Sequence, residues 1–317
     1  MRCRKCGEKA VINMRQHRLS LCKQHYLLWL PDQVERFIKK YQMFTKYERV
    51  LVAVSGGKDS LALWDILWKL GYQTEGLYIN LGIDGDISYS DRSMNFAQSF
   101  ADQRQLCLHV VDIKDQYLET VPEISMRTKR GREKPCSLCG LIKRYVLNQY
   151  AVNGKFDVLV TAHNLDDEAA ILLANTLDWS LDYLARGKPV LPLKPGFSKK
   201  TKPFCRIYER EAAAFAILNG IEYVRDECPF SIDSKQLFYK KHLNEWEDKQ
   251  PGTKLRFYLK YLSALEKGAF PSRQDSADNL VHHLCPNCGQ PTTTGSLCAF
   301  CKLFKEKSIS EENSIIK

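Results

Sequence analysis

The stretch Arg49-Val-Leu-Val-Ala-Val-Ser55-Gly-Gly-Lys-Asp-Ser60-Leu-Ala-Leu63 decides the fold. A short β-rich apolar run ends in a Ser-Gly-Gly turn, and a helix-forming run follows at once. This strand–turn–helix order cradles phosphate. Gly56 and Gly57 lack Cβ, so the backbone can turn tightly and aim N–H groups at an anion. The helix opening near Lys58 adds the positive end of its dipole. Lys58 supplies a mobile charge, and Ser55 and Ser60 supply hydroxyls. A Walker A loop has four residues between its first Gly and Gly-Lys, and this stretch does not.

The motif resembles the pyrophosphate loop, SGGxDS, of the ATP-pyrophosphatase superfamily, which cleaves ATP between the α and β phosphates. Outward from it, apolar runs alternate with helical stretches. The pattern predicts strands at 50–54, 74–79, 107–112, 156–161 and 221–224, and helices at 59–70, 91–104, 139–151, 166–177 and 208–219. Such alternation gives an α/β fold with a doubly wound, mainly parallel sheet and ligand at the carboxyl ends of its strands. The strand ending at Ile79 is then expected to bring backbone groups beside adenine. Thr161-Ala-His-Asn-Leu-Asp-Asp167-Glu falls at a second strand-to-helix junction. Asp166 and Asp167 at a helix head can hold Mg²⁺ on pyrophosphate or exchange protons, or simply complement the helix dipole.

The chain has 317 residues, a net charge of +10 and 12 cysteines. Its length implies a core plus appendages. Its basic balance suits a polyanionic partner. No apolar run reaches the ~20 residues that span a bilayer, and the start, Met-Arg-Cys-Arg-Lys-Cys, has no secretory h-region. The expected setting is therefore cytoplasmic, with no membrane partner, where cysteines bind metal rather than pair. Charged residues, at 26%, lie near the average and give no hyperthermophile signature.

Cys3-x2-Cys6 and Cys22-x2-His25 have the spacing of a tetrahedral structural zinc site, with His17 expected to be solvated in the loop between. Cys285-x2-Cys288 and Cys298-x2-Cys301 form a four-thiolate zinc site with Gly289 and Gly295 at its turns. The expected organisation is a zinc finger at 1–30, a linker helix at 31–48 with Pro31 in its first turn, and a catalytic domain at 49–267. A linker at 268–284, a zinc ribbon at 285–304 and a mobile tail at 305–317 follow. Residues 127–135 read as a basic loop before Cys136-Ser-Leu-Cys139, and 194–203 as a second cationic loop; both suit phosphate contacts. Helical segments at 234–248 and 254–267, rich in Lys, Tyr and Phe, read as core rather than as RNA-stacking surfaces.

With both zinc modules set aside, Cys136, Cys139 and Cys228 remain for the catalytic core. The residues alone leave three readings for them: an iron–sulfur cluster, a zinc site completed by another ligand, or redox thiols that form a persulfide. Here the chain resembles the tRNA 2-thiouridine synthetases of the TtuA type, near the wobble-uridine thiolases and the 2-thiocytidine enzyme TtcA. The resemblance covers nearly the whole chain: both cysteine modules, SGGKDS, Cys-x2-Cys, HNLDDE and a late Cys-Pro. Ala162 departs from it, standing where relatives commonly have Gly.

The resemblance implies a 4Fe–4S cluster on Cys136, Cys139 and Cys228, whose fourth iron stays open for sulfide. It implies tRNA and ATP with Mg²⁺ as substrates, with ATP held by Ala53, Val54, Ser55, Gly56, Gly57, Lys58, Asp59, Ser60, Ile79, Ala162 and Asp167. It makes Lys143 catalytic, with Asp59, Asp167 and Asp166 binding Mg²⁺ or moving protons. A uracil oxygen is a poor leaving group; adenylation releases pyrophosphate and lets sulfide displace AMP. Relatives take sulfur from a ubiquitin-like protein thiocarboxylate or free sulfide, and are often homodimers. T-loop and wobble uridines both stay open as targets. Two other functions compete: a lysidine-synthetase-like ATP-pyrophosphatase ligase, which needs no thiol trio, and a non-catalytic zinc-containing RNA-binding scaffold.

Overall fold

The computed structural model describes residues 1–83, 88–231, 235–270, 283–292 and 295–304. A hairpin of β1 (Ile12–Met14) and β2 (Leu19–Leu21) precedes α1 (Lys23–Lys40). Then β3 (Val50–Val54), α2 (Lys58–Lys69), β4 (Thr74–Asn80), α3 (Tyr89–Arg104) and β5 (Leu108–Asp112) alternate. Short helices α4 (Ile113–Tyr117), α5 (Val121–Arg127) and α6 (Lys129–Glu133) lead into α7 (Pro135–Asn153). After them come β6 (Val158–Val160), α8 (Leu165–Leu177), α9 (Leu181–Leu184), β7 (Val190–Leu191) and β8 (Lys199–Thr201). The chain continues with α10 (Glu209–Leu218), α11 (Lys235–Lys249), α12 (Thr253–Glu266), β9 (His283–Leu284) and β10 (Pro291–Thr292).

The central sheet runs β5-β4-β3-β6-β8-β7, parallel throughout except for the edge strand β7. From β3 the chain winds outward through β4 and β5, then crosses to β6 on the other side. The reversal opens a crevice between the carboxyl ends of β3 and β6, where doubly wound sheets bind ligands. The pyrophosphate-loop motif follows β3, and Thr161–Glu168 follows β6.

Side-chain alternation along β3 builds two cores. Val50, Val52 and Val54 face α2, α3 and the N-terminal module, whose Tyr26 and Leu30 are fully buried in the same cluster. Leu51 faces the other way, toward Leu138 and Ile142 of α7, and Cys285, Phe300 and Cys301 of the C-terminal module share that cluster. Trp64 of α2 is fully buried and lies over Gly76 of β4, where any Cβ would overlap its ring. Among the described residues no helix is long and apolar enough to cross a membrane.

Several expectations need correction. Residues 221–224 form no strand; β8 fills that place beside β6, and Val224 N–H instead donates to Gly56 O at 3.0 Å. β8 comes from the stretch read as a second cationic loop. Thr201 is its buried residue, while Lys199 reaches Glu48 at the sheet's rim. The first basic loop is mostly helical, in α5 and α6, and Thr128 caps α6 by accepting from Gly131 N–H. Pro31 sits inside α1 rather than in its first turn, so the helix runs through the expected finger–linker boundary. α12 buries Tyr258, Tyr261 and Leu262 as core, but α11 buries only Leu243 and leaves Phe238 and Trp246 exposed. Residues 271–282 of the expected linker and the tail at 305–317 lie outside the described residues.

Candidate active site

Gly56 turns the chain after β3 at φ +72°, and a Cβ there would collide with the Ser93 carbonyl of α3. Glycine is thus needed for conformation and for space. Gly57 begins α2 with no side-chain cap, so the first-turn N–H groups face the crevice without a side-chain partner. Ser60 Oγ accepts from Ser55 N–H at 3.1 Å and donates to Gly57 O at 3.0 Å. Ser55 Oγ lies 3.1 Å from Ser60 Oγ and accepts weakly from Gly57 N–H at 3.4 Å. The serines therefore hold the loop's shape as well as offering hydroxyls.

Charge in the crevice forms a chain. Lys58 Nζ lies 3.1 Å from Asp59 Oδ2 and 2.7 Å from Glu209 Oε1. Lys240 Nζ lies 3.1 Å from Glu209 Oε2 and 2.6 Å from Asp167 Oδ1. Burial, with Glu209 and Asp167 nearby, raises the Asp59 carboxyl to about 6 despite Lys58. Burial also works against ionised Glu209, but Lys240 and Lys58 outweigh it and hold that carboxyl at about 2. Asp59 Oδ1 is buried with no hydrogen-bond partner. An orphaned carboxylate oxygen beside two further acids is a position that Mg²⁺ on a triphosphate would satisfy.

The two HNLDDE acids have separate environments. Asp167 forms a capping box with Asn164, accepting Asn164 N–H at 3.0 Å, and turns its other oxygen to Lys240 in the crevice. Asp166 points into the core: Lys254 Nζ lies 2.5 Å from Oδ1, and Oδ2 accepts Glu209 N–H at 2.8 Å. Both partners of the Asp166–Lys254 pair are almost fully buried. Asp166 thus ties α8 to α10 and α12, with both oxygens occupied. Ala162 packs against the core face of the sheet just before this turn, and Val54 and Ile79 are buried at the ends of β3 and β4.

Cys136 and Cys139 lie in the first turns of α7, and Cys228 lies just before a short 3-10 turn at Pro229–Ser231. Cys136 Sγ donates to Phe230 O at 3.0 Å, joining the two segments. Ala53, Cys139 and Cys228 pack on one apolar cluster, so the thiols stand beside the end of β3. Burial raises the Cys139 thiol, and Lys143, one helical turn on, pulls against it. Burial and then the neighbouring Cys139 and Cys228 raise Cys136.

The separation of the thiols is informative. Tetrahedral zinc with ~2.3 Å Zn–S bonds holds its sulfurs ~3.8 Å apart. Both terminal modules fit: Cys6 and Cys22 Sγ are 3.7 Å apart, as are Cys288 and Cys298. Cys22 Sγ is 3.2 Å and Cys3 Sγ 3.6 Å from His25 Nδ1. Within each set all four ligand atoms lie within 4.8 Å of one another. Cys136, Cys139 and Cys228 form no such tight group among the described residues. Their wider spread suits a multi-iron cluster better than one zinc ion.

Comparison with known proteins supplies the family. The family model for the 2-thiouridine synthetase TtuA N-terminal LIM domain matches residues 2–27, and that for the PP-loop domain matches 30–233. A tRNA-5-methyluridine(54) 2-sulfurtransferase of Thermus thermophilus is 46% identical over 99% of this chain and 97% of its own. The chain belongs to the TtuA family. Another member, from Pyrococcus horikoshii and named for the same activity, is 40% identical over 98% of this chain and 99% of its own. Among solved structures, the U34-tRNA thiolase NcsA from Methanococcus maripaludis, with its 4Fe-4S cluster, is 27% identical. It covers 84% of this chain and 88% of its own, with a TM-score of 0.73.

TtuA membership agrees with the PP-loop ATP-binding fold and with cysteine modules at both ends. Sequence reading missed Glu209 and Lys240, the counter-ions that link Lys58 to Asp167. Glu209 opens a helix of predicted position, and Lys240 lies in a basic segment read as core, but nothing local tied either to the loop. His17, expected to be solvated, lies 2.9 Å from the buried Glu211 Oε1 and anchors the N-terminal module.

Proposed function

We propose that the protein is an ATP-dependent tRNA sulfurtransferase that replaces O2 of the T-loop 5-methyluridine by sulfur. The observation that carries this reading is the meeting of two sites at one end of one sheet. An uncapped helix start and a buried unpaired carboxylate oxygen stand at the crevice; Cys139 and Cys228 share an apolar cluster with Ala53 at its rim, and Cys136 bonds to Phe230 O beside Cys228. The T-loop target is supported by the name of the 46%-identical relative, which matches over almost its whole length.

In this reading the N–H groups of Gly57 and the first turn of α2 bind the β and γ phosphates, with Ser55 and Ser60 shaping the loop. Lys58 leaves Glu209 to meet the phosphates, and Asp59 and Asp167 hold Mg²⁺. Asp166 keeps α8 and α10 in register and is not the reacting acid. Lys143, one helical turn after Cys139 and interacting with it, would turn its ammonium to the α-phosphate. There it neutralises charge on the α-phosphate while the uridine oxygen attacks phosphorus and pyrophosphate departs. Cys136, Cys139 and Cys228 would hold a 4Fe–4S cluster, which supplies an open iron for sulfide delivered free or from a thiocarboxylate. Cys3, Cys6, Cys22 and His25, and Cys285, Cys288, Cys298 and Cys301, each hold zinc, and the reaction runs in the reducing cytoplasm. A ligase would have no use for the three thiols, and a scaffold none for the unpaired Asp59 oxygen.

Nucleoside mapping of tRNA from a strain lacking the gene tests the reading. Loss of 2-thio-5-methyluridine, restored by wild type but not by Cys228→Ala, is expected. Loss of a wobble thiouridine instead overturns the T-loop assignment, and an unchanged profile overturns thiolation. Lys143→Ala is expected to fold and bind ATP yet release no tRNA-dependent pyrophosphate; wild-type release removes Lys143 from the mechanism.

A further inference from the structure

At the opposite, amino-terminal end of the sheet, three side chains from β4 and its neighbour converge. Glu75 lies in β4, His109 in β5, and Cys107 just before β5. His109 Nε2 is 2.7 Å from Glu75 Oε2 and 3.5 Å from Cys107 Sγ. All three candidate ligand atoms lie within 4.8 Å of one another. None belongs to either cysteine module or to the nucleotide crevice.

A Cys–His–acid relay uses opposite ring nitrogens, one for the thiol and one for the acid. Here thiol and carboxylate both meet Nε2, so the cluster is not built as a relay. Three donor atoms facing a common point are instead the first three corners of a tetrahedral ion site. From usual bond lengths, tetrahedral zinc sets sulfur and nitrogen ligands ~3.5 Å apart, and nitrogen and oxygen ligands ~3.3 Å apart. The Cys107–His109 separation already matches, and equals the Cys–His separations of the N-terminal module within a few tenths of an ångström. Glu75 must withdraw by roughly 0.6 Å from its hydrogen-bonding position to reach that geometry, a small rotation for a side chain 29% exposed.

The surroundings fix the donors from behind. Arg49 holds the other Glu75 oxygen at 2.9 Å, so Oε2 is the one left for an ion. Arg49 is itself anchored by Gly154 O at 3.1 Å and by its packing over the Phe156 ring. The His109 ring packs on Tyr150 and Phe156, with centroids 5.3 and 6.4 Å away. Cys107 is exposed and open to solvent, leaving a fourth position for water.

We infer that Glu75, Cys107 and His109 form a third metal site, taking one divalent ion of the zinc class with water as fourth ligand. One thiolate, one imidazole and one carboxylate suit a borderline-soft ion better than Mg²⁺ or Ca²⁺. Three protein ligands and an exposed position make the site exchangeable, unlike the two closed cysteine modules.

The test is calorimetric titration of Zn²⁺ into the anaerobically purified holoprotein, with its cluster and both cysteine modules filled. Wild type is expected to take up one equivalent that Cys107→Ser and His109→Ala both lose, while Glu75→Gln weakens it. Co²⁺ in place of Zn²⁺ is expected to give thiolate charge-transfer absorption in wild type and none in Cys107→Ser. Far-UV circular dichroism confirms that each variant is folded, and tRNA thiolation is expected to be unchanged in all three. Absence of the extra equivalent in folded wild type, or its persistence in both Cys107→Ser and His109→Ala, overturns the inference.

Discussion

Asp166 and Asp167 are neighbours in sequence, but the structure assigns them opposite consequences on mutation. Asp166→Asn leaves Lys254 charged, about 3% exposed, and without its counter-ion. Stranding one member of a buried pair costs about 3–5 kcal/mol. Unfolding entropy near 2.1 cal/mol/K per residue gives about 0.67 kcal/mol/K for 317 residues, so Tm falls by about 4–8 °C. The Asn oxygen can still accept Glu209 N–H, so the crevice keeps its shape below the transition. Adding Lys254→Met removes the stranded charge and is expected to recover most of the loss. Asp167→Asn disturbs a partly buried capping box, costing about 0.5–2 kcal/mol, yet removes an acid from the crevice. Thermal unfolding by circular dichroism, paired with tRNA-dependent pyrophosphate release at 25 °C, separates the two. An Asp166→Asn protein with unchanged Tm and no turnover would refute the assignment.

Three further outcomes follow from the site and its supports. Asp59, raised to about 6 by burial, binds its proton more tightly folded than unfolded; its contribution to stability is present at pH below ~4 and lost as pH rises through 6. In the proposed role Asp59 binds Mg-ATP as the carboxylate, so Kd is expected to weaken toward tenfold per pH unit below 6, with proton release near pH 6 seen by calorimetry in buffers of different ionisation heat and absent in Asp59→Asn. Lys240 pairs with Glu209 and Asp167 at the crevice, and if the phosphates draw its ammonium away as they draw Lys58, Lys240→Ala is expected to weaken ATP binding about 10–150-fold, the range for one charge-assisted hydrogen bond; an unchanged Kd would make Lys240 a mere counter-ion. Phe300→Ala removes the ring stacked on Tyr145 at 3.5 Å and is expected to cost about 3–5 kcal/mol, measured by denaturant unfolding, while ATP affinity holds.

The pyrophosphate loop was legible because it is local: one strand, one turn and one helix start in twelve consecutive residues. The cysteine modules were legible for the same reason, each being two short ligand pairs. What the chain concealed depends on distance. β8 is Lys199-Lys200-Thr201, a sequence with no apolar run, and it pairs because β6 needs a neighbour there. Residues 221–224 have the apolar run but bury only Ile221 and Val224, enough to pack behind the loop without joining the sheet. Glu209 and Lys240 reach the crevice from α10 and α11, and neither carries a motif. Pro31 was expected to start a helix, yet α1 already runs from Lys23, and packing of Tyr26, Leu30 and Val34 holds it together across the proline.

The positions of the two cysteine modules give each one half of the site to support. The N-terminal module grips Glu211: Tyr26 donates to its carbonyl at 2.6 Å, and Gln16 and His17 reach its carboxylate at 2.7 and 2.9 Å. Glu211 in turn accepts Tyr208 N–H at 3.0 Å in the capping box that starts α10. Glu209, which holds Lys58 and Lys240, is two residues away on the same first turn. The C-terminal module grips α7 instead, through the Phe300–Tyr145 stack and the bond from Gln149 Nε2 to Cys288 O at 3.3 Å. Tyr145 lies two residues beyond Lys143 on the helix that carries Cys136 and Cys139. Disorder of the first module is therefore transmitted to the phosphate-binding side, and disorder of the second to the thiol side. Two modules on opposite faces of the sheet suit a reaction whose adenylating and sulfur-delivering groups must be held in register across one crevice.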